Sequence, residues 1–207
     1  MSASGFVGYQ KNKEIKGWFN FTFSYYSSLG AKLARRFQCH SKKELEDFFL
    51  NRMELVEDGQ EYYDNQIEIY EIDWGKDSIK LQDNSDFLFD GIACPFGYVF
   101  NLDNDTLDLY RGGFKKPQEC DVQAVRQHQM AELFGEDDNL YTHRVISINR
   151  EDIVFALNTI FSNKYSISKE VSLEFWNLNK EGVLYPERDI IEREREKINH
   201  NTKKSTN

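Results

Sequence analysis

Residues 98–110, YVFNLDNDTLDLY, constrain the fold more than any other stretch of this chain. Tyr98 to Leu102 and Thr106 to Tyr110 are strand-like runs, joined by Asp103-Asn104-Asp105. Asn and Asp tolerate left-handed backbone and bond their own main chain, so they close turns. A hairpin here commits the chain to a sheet that is at least partly antiparallel. Gly112-Gly113 is expected to end its second strand.

A second hairpin is predicted at the N-terminus. Gly5 to Gln10 and Ile15 to Phe23 are rich in aromatic and β-branched residues and flank the polar connection Lys11-Asn12-Lys13-Glu14. Strand alternation places Phe19, Phe21 and Phe23 on one face and Trp18, Asn20 and Thr22 on the other. Further short strands are expected at 66–74, 79–81 and 140–148, with a weaker alternating pattern at 170–177. The face shift between Ile69 and Tyr70 allows a bulge.

Helical spacing alternates with these strands. Leu29, Leu33 and Phe37 recur every fourth residue, as on one helix face. Ser41 and Glu44 form a capping box for the next helix, whose apolar stripe is Leu45, Phe48, Phe49 and Met53. Residues 57–65 read as a loop. Residues 122–134 are expected to be helical, with Val122, Val125, Gln129 and Leu133 near one face. Ile153, Leu157, Ile160 and Phe161 make a further stripe, with Asn149 as its cap.

The pattern predicts an α+β fold: a mainly antiparallel sheet with several packed helices, in one globular domain over residues 1–185. A hydrophobic fraction of 40% and an aromatic fraction of 14% supply a sizeable core. Residues 186–207 are charged and then polar, and are expected to form an exposed helical extension that frays into a disordered tail. No apolar run approaches the roughly 20 residues that a membrane-spanning helix needs. The first residues carry no secretory pattern. Cys39, Cys94 and Cys120 are odd in number and far apart, as expected of reduced thiols in a cytoplasmic protein.

Charge is unevenly spread. Residues 1–53 hold nine Lys/Arg against four Asp/Glu, residues 54–110 two against fifteen, and residues 111–207 fifteen against sixteen. The acidic middle third repels double-stranded nucleic acid and favours basic partners, although such runs commonly form only a solvated face. The basic first third interleaves Lys11, Lys13, Lys16, Lys32, Arg35 and Arg36 with Trp18, Phe19, Tyr25 and Tyr26, which suits single strands. The acidic remainder argues against that use.

Signatures of catalysis are missing from the sequence. Cys39-His40 and Cys120 with His128 lack zinc-ligand spacing, so no metal site is expected. Asn101 to Asp105 resembles the start of a calcium loop, but Thr106 and Gly112 stand where that loop needs Gly and Glu. No phosphate loop, dinucleotide fingerprint or nucleophile elbow occurs, and no cofactor is implied. Cys94 reads as a buried small hydrophobe. One enzyme candidate is left: Ser2, exposed as the N-terminal residue after loss of Met1, acting as nucleophile with its own amine as base.

Two segments resemble a group of largely uncharacterised phage and bacterial proteins. Those proteins carry a stretch like Tyr-Asn-His-Phe-Asp-Ser-Tyr-Pro-x-x-Leu-Gly and, later, a hairpin like Tyr-Val-x-Asp-Leu-Asp-x-x-Thr-Leu-Glu-x-Tyr-x-Gly. Asn20, Ser24, Tyr25, Leu29 and Gly30 match the first, and Tyr98, Val99, Leu102, Asp103, Thr106, Leu107, Tyr110 and Gly112 the second. Phe21, Phe23 and Tyr26 stand where the pattern has His, Asp and Pro. The resemblance implies a prokaryotic or phage setting and no known activity.

The leading expectation is a non-catalytic module that binds a protein partner in phage–host conflict. Candidate contact residues are Asn20, Ser24, Tyr25, Tyr26, Tyr110 and Arg111 on the motif segments, and Asp64, Asp83 and Asp86 in the acidic third. The alternatives are a small hydrolase using Ser2, and a small-ligand or nucleotide pocket lined by Asn20, Ser24, Tyr25 and Tyr110. The sequence does not fix the oligomeric state.

Overall fold

The computed structural model describes residues 4–57, 72–118, 140–162 and 187–197, apart from 22, 189 and 194, together with 125, 126, 128–130 and 133. The fold is α+β. Strands β1 (Gly5–Lys11), β2 (Glu14–Asn20), β5 (Phe96–Asn101), β6 (Thr106–Phe114) and β7 (Tyr141–Asn149) form one five-stranded sheet, in the order β2-β1-β5-β6-β7. Every pairing in it is antiparallel except β1 with β5. Strands β3 (Met53–Val56) and β4 (Ile79–Gln82) pair in parallel as a separate ribbon.

Both predicted hairpins are present. The first turns more tightly than the four-residue connection suggested. Lys11 pairs with Glu14, and Asn12 and Lys13 both take positive φ, 53° and 68°. That conformation matches the right-handed twist of the strands. Because β1 and β5 run parallel, both hairpin turns lie at one end of the sheet. There the Asp103 carboxylate accepts from the turn amides of Asn12 and Lys13, each at 2.9 Å. These two bonds hold the Asp103 carboxyl below its usual range. The acidic run at 103–105 therefore serves as a backbone clamp. Arg150 adds to it, donating from Nε to Asp105 and from Nη1 to the carbonyls of Phe37 and His40.

One sheet face carries the main core. Helix α1 (Ala31–Cys39), preceded by a wide turn at Tyr26–Gly30, buries Leu29, Leu33 and Phe37 against it. Helix α2 (Lys42–Asp47) starts at the expected capping box and widens into a turn at Phe48–Arg52. Phe48 stacks on Trp74 with ring centroids 4.5 Å apart, and Phe49 and Trp74 both reach Phe100 of β5. Helix α3 (Ile153–Asn158) completes this layer, led in by Asn149, whose Oδ1 accepts from the Asp152 amide. The opposite face holds a smaller cluster of Phe6, Leu88, Cys94, Val99 and Tyr110. Gly97 permits it: a Cβ there would stand 2.6 Å from Leu88 Cδ1.

Exposed sheet edges invite pairing with other chains, and side chains plug both of them here. Along β2, Gly17 N donates to Ser85 Oγ, Phe19 N to Asn84 Oδ1, and Asn84 N to the Gly17 carbonyl. Along β7, the Gln118 amide bonds both the N–H and the carbonyl of Arg144. A register shift leaves the Val145 carbonyl outside the ladder, and Arg188 Nε donates to it.

Several expectations need correction. Strand β2 stops at Asn20, so Phe21 and Phe23 do not continue its face. Strand β6 runs through Gly112-Gly113 to Phe114, with Gly113 at φ 90° and an irregular register there. Gly112 is needed because a Cβ would stand 2.5 Å from the Cys94 and Gly91 carbonyls. Residues 72–74 are not a strand; Trp74 opens a turn and is buried. Leu133 is exposed rather than inward-facing. The segment from 187 is helical where described but not simply exposed, since Glu187, Ile190 and Ile191 are buried. The readings over 58–71 and 170–177 lie outside the described residues. Among the described residues, no helix is long and apolar enough to cross a membrane.

Ser41 Oγ accepts from the Glu44 amide while Glu44 accepts from the Ser41 amide. Ser41→Ala is expected to cost about 1 kcal/mol, read as a lowered urea midpoint at unchanged m-value.

Candidate functional site

The sequence-derived candidates separate into four places. Ser2 and Asp64 lie outside the described residues. Asn20 and Ser24 do meet: Asn20 Nδ2 donates to Ser24 Oγ at 2.8 Å, and Tyr98 OH donates to the Ser24 carbonyl at 2.6 Å. Tyr25 sits beside them, edge-on to Phe96. Tyr110, however, belongs to the small cluster on the opposite sheet face. The structure therefore does not assemble the four-residue ligand pocket expected from the sequence.

Tyr26, a candidate contact residue with Tyr25, is fully buried. The wide turn at Tyr26–Gly30 aims its ring into the core, edge-on to Phe96, Tyr98 and Phe161. Its hydroxyl donates to Glu187 Oε1 at 2.9 Å, and Arg111 Nε lies 3.2 Å from the same oxygen. Arg111 and Glu187 are themselves 4% and 0% exposed. The Arg111 guanidinium also lies over the Phe114 ring, which stacks on His143 at 3.8 Å. Burial and then the Glu187 charge push the Tyr26 phenol well above its usual range.

Two further groups can be read chemically. His143 donates from Nε2 to the Lys116 carbonyl at 2.5 Å. Burial holds its pKa down at about 4, reinforced by the Arg111 charge and opposed by that hydrogen bond. Cys94 is fully buried, its thiol donating to the Phe96 carbonyl, and burial raises its pKa so that it stays protonated at neutral pH. A protonated, buried thiol is a poor nucleophile. Among the described residues, no three His, Cys, Asp or Glu side chains are placed to hold a metal.

Asp83 and Asp86 do lie together. With Glu57, Asp90, Gln82, Asn84, Ser85 and Phe87 they line an open groove of about 660 Å³ beside the outer edge of β2. Asp83 and Asp90 are partly structural. Asp83 accepts from the Ser85 amide, and Asp90 from the amides of Ile92 and Ala93, each at 2.9 Å. Sequence reasoning singled out neither Glu57 nor Asp90. Only the pairing of β3 with β4, which sets Val56 beside Gln82, brings these segments together.

No protein-family model matches this chain, and neither does any curated protein or solved structure.

The buried pair yields a stability prediction. Glu187→Ala leaves Arg111 buried without that carboxylate and is expected to cost on the order of 3 kcal/mol. Arg111→Met combined with Glu187→Leu should recover most of the loss in guanidinium unfolding. For His143, the folded pKa near 4 lies below the ordinary 6.5, so the folded chain disfavours the proton. Its contribution is complete above pH 6.5, declines as the pH falls, and is gone below about 4. The expected decline is on the order of 3 kcal/mol. It is measured as the slope present in the wild type and missing from His143→Gln across that window.

Proposed function

We propose that this chain is a non-catalytic, cytoplasmic interaction module that binds a protein partner through its acidic surface. The groove carries the reading. Four carboxylates, Glu57, Asp83, Asp86 and Asp90, line it, and among the described residues no Lys or Arg does. Such a concentration of one sign raises the local density of oppositely charged groups and speeds their capture. The likeness of two segments to phage and bacterial proteins supports a role in phage–host conflict. No observation among the described residues favours the Ser2 hydrolase. The ligand-pocket reading loses support because Tyr110 and Ser24 lie on opposite sides of the sheet.

Glu57 and Asp86 are the informative positions because both are exposed. The pair Glu57→Lys and Asp86→Lys should leave the melting temperature within about 2 °C of wild type. It should reduce recovery of a partner from the native host at least about tenfold in quantitative affinity purification, since two favourable contacts become repulsive. Equal recovery by both baits would overturn the reading.

A further inference from the structure

Of the eight large apolar side chains exposed among the described residues, Phe21 connects through ring contacts to that groove, and Phe89 adjoins its Asp90 in sequence. Phe21 and Phe23 are 57% and 65% exposed, and Phe89 and Ile92 are 52% and 58% exposed. Phe21 packs edge-on against Phe19, and Phe19 against Phe87, with centroids 4.5 and 4.0 Å apart. Phe87 lines the groove with the carboxylates. The aromatic shelf thus borders the acidic groove at the open end of the first hairpin.

Phe23 holds an unusual backbone. Its φ of 55° is left-handed, a costly state for a bulky residue. The Leu29 amide and the Ser28 hydroxyl both donate to its carbonyl and fix that state. A strained residue with an exposed ring adds nothing to the core.

Charge complementarity decides what covers this surface. The carboxylates favour a cationic occupant, and the rings discriminate between cations. A guanidinium is planar and weakly hydrated, stacks on aromatic faces and pairs bidentately with carboxylates; an ammonium does none of these as well. We infer that the occupant is an arginine-rich segment of a partner protein. Its guanidinium groups pair with Glu57 and Asp86 and stack on the Phe21–Phe19–Phe87 shelf. This deepens the interaction reading above and rests on it.

The test is fluorescence anisotropy of short labelled peptides in which arginine, lysine or citrulline alternates with leucine, titrated with the full chain. The arginine peptide should bind at least about tenfold more tightly than the lysine peptide, and the citrulline peptide should not bind. Phe21→Ser removes an exposed ring and should weaken arginine binding about fivefold while leaving the lysine peptide unchanged. Equal affinity for arginine and lysine, or indifference to Phe21→Ser, would overturn the inference. If no peptide binds but Glu57→Lys with Asp86→Lys still abolishes partner recovery, the arginine inference fails and the interaction reading stands. If the arginine peptide binds as expected but recovery ignores charge reversal, the surface inference stands and its link to the native partner fails.

Discussion

The structure depends on the parallel pairing of β1 with β5. Each hairpin is a local product of its own turn, and an isolated two-stranded ribbon is marginal in water. The six residue pairs from Gly5–Phe96 to Gln10–Asn101 fuse the two hairpins into one sheet. Parallel neighbours need a long crossover, and the crossover here contains α1, α2, β3 and β4. The same segment that closes the sheet therefore supplies the layer that covers it. Asp103 secures the register at the turn end, where it binds the backbone of the neighbouring hairpin. A slip of one residue would exchange the two faces of β1, moving Val7 out of the main core and Phe6 out of the smaller cluster, and break both bonds.

A second constraint acts through charge. Tyr26, Arg111 and Glu187 come from three distant parts of the chain and meet in the core. Taking a carboxylate and a guanidinium out of water is costly, and only close mutual pairing offsets the cost. Each partner therefore penalises arrangements in which the others are displaced. Ile190 and Ile191 add apolar burial on the same helical segment. Together these contacts explain why the described part of so charged a segment, from Glu187 to Ile191, packs on the core.

What could be read from the sequence was local. The polar stretch Lys11 to Glu14 and Asp103 to Asp105 announce their turns by residue type, although the first turn tightens to Asn12-Lys13. Ser41 and Glu44 announce a cap by spacing, and Leu29, Leu33 and Phe37 a helix face by period. The parallel β1–β5 and β3–β4 pairings leave no such mark, because parallel partners are remote in sequence. Gly112-Gly113 misled because the pair reads as a strand terminus, whereas the glycine at 112 answers a close approach by the Cys94 and Gly91 carbonyls. Tyr26 misled because one wide turn rotates it inward while its neighbour Tyr25 stays half exposed. The charge asymmetry was plain, and Asp83 and Asp86 followed from it. Asp90 joins them through the local helical turn at Ser85–Phe89, and Glu57 only through the pairing of β3 with β4.

The alternation Phe19-x-Phe21-x-Phe23 looks like one buried strand face, yet β2 ends at Asn20 and two of these rings face water. The local cause is polar. Asn20 bonds Ser24, Tyr98 holds the Ser24 carbonyl, and Ser28 and Leu29 hold that of Phe23. These bonds turn the chain out of the sheet and force Phe23 into left-handed backbone. Leaving a Phe side chain exposed forgoes roughly 2 kcal/mol of burial, and the strained residue adds a cost of about 1–3 kcal/mol. The hydrogen bonds to the Phe23 carbonyl offset the backbone cost, whereas the two rings stay exposed. Covering the rings would recover the burial term alone, and the groove beside Phe87 is lined by four carboxylates.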